Sequence, residues 1–263
     1  MSVALITLTT DYGTSDHLVG AMKGVIASIL PEAHIHDITH EVTPFDVLDG
    51  ALTVAGAYHY WPAGTIHVVV VDPGVGTARR PLLVRAGAHY FIAPDNGVLS
   101  LVLDRETEVR AWHITAEKYF VHPVSRTFHG RDIFAPSAAW LARSGQPESF
   151  GPEIADYERF ELPKPEISAS AIRGVILRAD HFGNLLTNLR REDAPRLVSG
   201  AHFRLNIGNA EITRMVTTFG EAAPGEPCLL IGSSGYFEIA ANRASAASIT
   251  GASAGSSFIV EFS

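Results

Sequence analysis

Cysteine is nearly missing from this chain of 263 residues; Cys228 is the only one. A single thiol excludes an internal disulfide framework, a zinc ribbon and a CxxC redox centre. No run of 18 apolar residues occurs, which excludes a spanning helix. Basic residues are in short supply, 20 Lys and Arg against 28 Asp and Glu, for a formal charge of −8. That balance weighs against a protein that coats nucleic acid or an anionic membrane, although a local basic patch is compatible with it. The opening residues MSVALITLTTDYG lack the basic and long apolar stretches of a secretory signal, so a reducing, cytoplasmic setting is expected. The Lys-Ser/Thr of a P-loop and the HExxH of a zinc peptidase are also absent. What remains is a chain that is 46% hydrophobic and long enough to bury a core without covalent staples.

The first half alternates strand-like and helix-like segments. Val3–Thr9 is β-rich and runs into Thr10-Asp11-Tyr12-Gly13. Asp16 is placed to cap a helix on which Leu18, Val19, Met22, Val25, Ile26, Ile29 and Leu30 recur at helical spacing before Pro31. His34–Thr39 reads as a strand, Asp46 to about Tyr60 as a helix, and Thr65–Val71 as a strand. The run Val68-Val69-Val70-Val71 has no alternation and suits a strand covered on both faces. Further strands are expected at Pro81–Arg85, Tyr90–Ala93 and Val109–Ile114, and a helix after Gly130. This rhythm indicates an α/β domain over residues 1–150 with a mainly parallel central sheet. Residues 151–165 are polar and proline-rich and read as a linker. Residues 166–263 hold short β segments separated by Gly, Asn and Pro turns, the pattern of a small β-barrel.

Ligands of open α/β sheets lie outside the carboxyl ends of the strands. Asp11 and Asp72 both fall at such ends. Each suits a turn or helix cap as well as a site, but two at one sheet edge favour a site. Asp72-Pro73-Gly74-Val75-Gly76-Thr77-Ala78-Arg79-Arg80 is a Gly-rich loop after a buried strand; Arg79 stands where a dinucleotide fingerprint needs its third glycine. A simple turn explains its glycines, whereas an Asp beside two arginines suits an anionic or hydroxide-bearing site. His129, beside Gly130 at a helix entrance, is either a solvated loop histidine or a group poised to titrate near neutral pH. His34, His36 and His40 lack a third ligand at a recognised spacing, so no metal site is expected. In the second half, Asp180 to Asn184 and Ser233 to Glu238 read as turns that offer hydrogen-bonding groups.

Together these segments resemble the S-adenosyl-L-methionine hydroxide adenosyltransferase family, relatives of the fluorinase and chlorinase enzymes. The similarity spans nearly the whole chain. It rests on Thr10-Asp11-Tyr12-Gly13 with Asp16 and Gly20, Val71 through Arg79, Pro94-Asp95-Asn96-Gly97, Phe128 through Phe134, Asp180 through Asn184, and Ser234-Gly235-Tyr236 through Asn242.

The resemblance implies an N-terminal α/β domain, a C-terminal β-barrel, and a homotrimer whose active sites lie between subunits. It implies attack of water or hydroxide on the ribose 5′ carbon of S-adenosylmethionine, giving adenosine and methionine without a cofactor or metal. Asp72, Arg79 and His129 match the family's catalytic triad. Arg79 would stabilise hydroxide character, while Asp72 and His129 orient the water and accept its proton. Asp11 would hold the ribose hydroxyls, Phe45 would pack on the ribose, and Phe182 and Phe219 would flank adenine. Asp180, Asn184 and Ser233 match positions around the methionine amine and carboxylate; Glu238, Ala241 and Asn242 match the remaining substrate-contacting stretch. Ser234 departs from the fluorinase arginine at that position, leaving carboxylate binding to hydroxyls and backbone amides. A halide-using, chlorinase-like transferase is the alternative within the family, and Asp72 speaks against it because a carboxylate repels halide. A non-catalytic sensor of S-adenosylmethionine or adenosine is the alternative of another class.

Overall fold

A computed structural model describes residues 4–262 of the chain. Val3, placed in the first expected strand, lies outside the described residues. The chain divides into two compact units, Met1–Glu161 and Leu162–Ser263. The boundary falls within the proline-rich stretch.

The first unit is built on a seven-stranded sheet. Its strands are β1 (Leu5–Thr10), β2 (His34–Thr39), β3 (Ile66–Val70), β4 (Pro81–Ala86), β5 (His89–Pro94), β6 (Val109–His113) and β7 (Glu153–Ile154), in the order β2-β1-β3-β5-β4-β6-β7. The block β2-β1-β3-β5 is parallel, as the βαβ rhythm requires. From β5 outward the pairings are antiparallel, because β4 and β5 form a hairpin that no helix interrupts.

Four helices accompany the sheet: α1 (Leu18–Ile29), α2 (Val47–Ala57), α3 (Ser100–Leu103) and α4 (Ala135–Ser144). Asp16 accepts from the Leu18 amide at 3.0 Å, serving the first turn of α1 as expected, although His17 occupies the cap position itself. Asp46 caps α2 through the Asp49 amide at 3.0 Å. On one face of the sheet, Ile6, Leu8, Val68 and Val70 pack with Met22 and Ile26 of α1 and Ala138 and Leu141 of α4. On the other face lies α2, whose Gly50 is so close that a Cβ there would stand 2.9 Å from Val71. Helices on both faces explain why every residue of β3 is buried.

The second unit is an antiparallel sheet of β8 (Glu166–Ile167), β9 (Ala171–Ala179), β10 (Leu185–Arg190), β11 (Phe203–Ile207), β12 (Ala210–Ile212), β13 (Pro227–Ile231), β14 (Tyr236–Ala241) and β15 (Ser257–Phe262). The order is β12-β11-β15-β9-β10-β14-β13, with β8 added to β9. The edge strands β12 and β13 approach each other, and Met215 bridges Leu229 between them, so the sheet nearly closes into a barrel. Its core contains Ile176, Leu185, Leu205, Phe237, Ile239 and Val260.

Candidate active site

β1 and β3 are parallel neighbours with Thr10 opposite Val70. Asp11 and Asp72 therefore leave the sheet side by side at its carboxyl edge, where open α/β sheets place their ligands. The Asn96 amide donates to the Val71 carbonyl at 2.9 Å and fixes the chain as it exits β3. The loop then folds through two successive turns, Val75 amide to Asp72 carbonyl and Thr77 amide to Gly74 carbonyl, each 3.2 Å. Gly76 sits at φ +76°, and a Cβ there would lie 2.2 Å from the Arg126 carbonyl. The glycine thus serves a close approach of two loops, and the folded loop returns Arg79 onto Asp72.

The arginine pair divides its labour. Arg80 binds Asp95 through Nε at 2.7 Å and Asp156 through Nη1 at 2.9 Å, tying the 151–161 segment to the first unit. Arg79 instead turns inward. Its Nε donates to both Asp72 carboxylate oxygens, at 2.9 and 2.8 Å, and its Nη2 donates to Asp72 Oδ2 as well. Nη2 also meets Nδ1 of His129 at 2.8 Å. The two side chains of the ion pair are only 8% and 5% exposed, so water screens them little. The guanidinium lies over the Phe134 ring with Cζ 5.0 Å from the centroid. Nη1 is buried and has no hydrogen-bond partner among the described residues.

His129 and Phe134 reach the same guanidinium because the chain opens α4 with a π turn, Gly130–Phe134. In an α-helix, residues five apart point about 140° away from each other. The wider π turn reduces that divergence. The turn also needs Gly130, since a Cβ there would stand 2.6 Å from the Tyr12 hydroxyl.

Protonation follows from this geometry. A guanidinium has only donors, so the nitrogen that Arg79 meets is a lone pair, and the neutral imidazole keeps its proton on Nε2. Burial, and then the charge of Arg79, push the His129 pKa below the ordinary histidine value, against the opposing charges of Asp72 and Asp132. His129 is therefore a neutral acceptor at physiological pH. Arg79 engages both Asp72 oxygens and the single Nδ1 lone pair alike, so this geometry leaves the proton-accepting role shared between Asp72 and His129.

Asp11 receives the Phe45 backbone amide on Oδ2 at 2.9 Å. Burial above all, with the charge of Asp72 added, raises its pKa, while the Phe45 amide opposes the rise. Phe45 occupies the left-handed region at φ +67° and its ring is 74% exposed. A bulky side chain rarely adopts that conformation, and strain of this kind collects at functional sites. Tyr12 lies between these groups. Burial first, then the charges of Asp11 and Asp72, drive its pKa upward, so the phenol stays protonated.

In the second unit the expected residues form two groups along β14. Asp180 Oδ1 accepts the amides of Phe182 at 2.9 Å and Asn184 at 2.8 Å, and Oδ2 accepts the Asn184 side-chain amide at 2.8 Å. Asp180 and Asn184 thus shape the β9–β10 turn that displays the exposed Phe182 ring. Glu238 lies against the turn that bears Ser233; a Cβ on Gly232 would stand 1.9 Å from Glu238 Oε1. Burial chiefly, and the charge of Asp180, raise the Glu238 pKa. At the other end of β14, Ala241 is buried opposite Pro227, and Asn242 donates to the Ala222 carbonyl at 2.7 Å. That bond fastens the short turn Phe219–Glu221, on which Phe219 is exposed.

Residues 6–151 match the SAM hydroxide adenosyltransferase N-terminal domain and residues 174–259 match the C-terminal domain of that family. The chain belongs to the SAM hydroxide adenosyltransferase family. An (R)-S-adenosyl-L-methionine hydrolase of Salinispora tropica is 39% identical over 95% of this chain and 95% of its own. A fluorinase of Actinoplanes is 30% identical over 91% of each chain. The crystal structure of an uncharacterized conserved protein from Thermotoga maritima superposes with a TM-score of 0.90 at 34% identity, over 97% of this chain and 99% of that one.

Sequence reading missed several parts of the site. Phe134 beneath the guanidinium and Tyr12 stand in quoted motifs with no role assigned. Asp132, fully buried, was quoted in a motif without a role. Only the π turn and the loop contact at Gly76 bring these groups together, and neither has a sequence signature. Among the described residues, no group of three or more His, Cys, Asp or Glu is placed to hold a metal ion, and no helix is long and apolar enough to cross a membrane.

Proposed function

We propose that this chain hydrolyses S-adenosyl-L-methionine to adenosine and L-methionine. The observation that carries this reading is the buried Nη1 of Arg79, without a hydrogen-bond partner among the described residues, on a guanidinium whose Nη2 meets the neutral imidazole. A buried donor left unpaired costs about 1–3 kcal/mol, and it is an apt seat for a water oxygen with hydroxide character.

Asp72 occupies the Nε/Nη2 edge of the guanidinium, which leaves Nη1 on the opposite side. There it holds the oxygen of a water molecule. That oxygen attacks the ribose 5′ carbon, the carbon–sulfur bond breaks, and its electron pair stays on sulfur. The cationic sulfonium becomes the neutral thioether of methionine, so no general acid is needed. As Arg79 Nη2 releases the Nδ1 lone pair of His129, the water proton passes to that nitrogen and then to solvent. Asp11 binds the ribose hydroxyls and Phe45 packs on the sugar. Phe182 and Phe219 flank adenine, Asn184 and Ser233 meet the methionine end, and Asp180 acts through the turn it holds. Glu238, Ala241 and Asn242 complete the substrate contacts.

The enzyme works as a homotrimer in the cytoplasm, without a metal or cofactor, each site drawing on two subunits. The exposure of Phe45, Phe182 and Phe219 in the single chain supports a site completed by assembly and substrate. Mixing inactive Asp72→Ala and Asn184→Ala proteins then restores activity once subunits exchange; no recovery after proven exchange refutes the sharing. The decisive experiment for the activity is chromatography of the nucleoside formed from S-adenosylmethionine, with and without chloride and a chelator. Adenosine in every arm is expected. A 5′-chloronucleoside would make the chain a halide transferase, and binding without product would make it a sensor.

A further inference from the structure

Of the three histidines on or beside β2, His34 and His36 are exposed and His40 is buried. The pairing of β1 with β2 slips by one residue, from Leu8 opposite Asp37 to Thr9 opposite Thr39. A slip of this kind re-aims the side chains beyond it, and it brings His40 beside Thr10, the last residue of β1. His40 Nδ1 meets Thr10 Oγ1 at 2.9 Å, and the same oxygen accepts the Tyr12 amide at 3.2 Å. The His40 carbonyl accepts the Gly13 amide at 2.7 Å. Ring and backbone of one residue therefore hold Asp11 and Tyr12 from both sides.

The two ring nitrogens face different surroundings. Nδ1 serves the turn that carries Asp11. Nε2 lies 3.0 Å from Asp37 Oδ1 without an aligned hydrogen bond, and Lys23 donates to the other Asp37 oxygen at 2.6 Å. Thr10 has no exposed surface and His40 almost none, so losing the Nδ1 contact leaves the Thr10 hydroxyl short of a partner. We propose that His40 is a positioning residue for ribose recognition: through Nδ1 and its carbonyl it fixes the Thr10–Gly13 turn, and with it the Asp11 carboxylate. This deepens the functional reading above and rests on it, since that reading gives Asp11 the ribose hydroxyls. Asp11 also receives the Phe45 amide at 2.9 Å, so a shifted turn disturbs both groups that meet the sugar.

The test is calorimetric binding of adenosine and of 2′,3′-dideoxyadenosine, with amide hydrogen exchange on the same proteins. Adenosine is the proposed product, so its binding needs no turnover. Wild type binds adenosine roughly 10- to 100-fold more tightly than the dideoxynucleoside, the worth of hydrogen bonds to a charged group, and protects the Tyr12 and Gly13 amides. His40→Gln carries its amide where Nε2 stands and loses the Nδ1 contact. Its discrimination shrinks to about threefold, and the Tyr12 amide exchanges faster. His40→Asn carries its amide where Nδ1 stands and keeps both properties. Thr10→Val removes the hydroxyl and behaves as His40→Gln, and combining the two adds nothing. Affinity for the dideoxynucleoside holds throughout, which a general loss of packing would not spare. Full discrimination in folded His40→Gln, or its loss in folded His40→Asn, refutes the proposal. So do freely exchanging Tyr12 and Gly13 amides in the wild type, whichever variants fold. Equal binding of the two nucleosides by the wild type refutes the ribose role of Asp11 instead, and amide exchange still decides whether His40 holds the turn.

Discussion

Replacing Arg79 by lysine separates charge from geometry at the centre of the site. The guanidinium simultaneously grips Asp72 through Nε and Nη2, meets His129 through Nη2 and has Nη1 without a partner among the described residues, where the proposed mechanism seats the attacking oxygen. A lysine ammonium keeps the charge that Asp72 needs in a site where both side chains are less than one-tenth exposed. It is a single nitrogen, however, and cannot span the carboxylate, the imidazole and the water at once. Losing one preorganised donor to a hydroxide-like oxygen, by analogy with an oxyanion-hole donor, costs about 2.7–4 kcal/mol, or roughly a hundred- to a thousandfold in kcat. Asp11, Phe45 and the groups on β14 are untouched, so KM should change little. Arg79→Ala is the harsher contrast: it strands the buried Asp72 carboxylate, which typically costs about 3–5 kcal/mol of stability, and it confuses folding with chemistry. The assay is adenosine release under saturating and limiting substrate, with chemical denaturation of each variant. Arg79→Lys at near-normal kcat would refute the assignment of Nη1 to the nucleophile.

Three further outcomes are expected. Phe45→Gly relieves the left-handed strain at φ +67°, so thermal stability holds or rises by about 1 kcal/mol while KM increases severalfold; a lowered melting temperature contradicts the strain. Gly76→Ala drives a Cβ into the Arg126 carbonyl, parts the two loops and lowers kcat with stability; an unchanged kcat shows that the loop contact does not position Arg79. His67 is wholly buried on β3 against Thr7 and His89, and burial first, then His89, pulls its pKa from 6.5 down to about 3. Its folded value lies below the unfolded one, so its stabilising effect is intact above pH 6.5 and is lost as the pH falls toward 3. Between pH 7 and 4.5 that loss amounts to roughly 2–3 kcal/mol in denaturation experiments, and His67→Gln should flatten it.

The sequence by itself determined the sheet edge and which residues stand there. Four consecutive valines require a strand covered on both faces, and that strand puts Asp72 beside Asp11 once β1 and β3 pair in parallel. The Asp72, Arg79 and His129 set was legible as a resemblance because those residues sit in ordered motifs. The Gly-Asn-Pro punctuation of the second half likewise announced short antiparallel strands. Tertiary structure decided how each functional group is used. Adjacent arginines are alike in sequence, yet Arg80 anchors a surface segment while Arg79 enters the site, because the turns of the loop aim them oppositely. Asp180 reads in sequence as a polar group of a turn; only the structure shows that its carboxylate holds that turn through the Phe182 and Asn184 amides. Asp132 stood in a motif without a role, because its bond from the Ser125 amide is made to the backbone, and backbone hydrogen bonds carry no side-chain code. The unpaired Nη1 could be found only in three dimensions: a vacancy in hydrogen bonding is a property of everything packed around an atom, and no single residue encodes it.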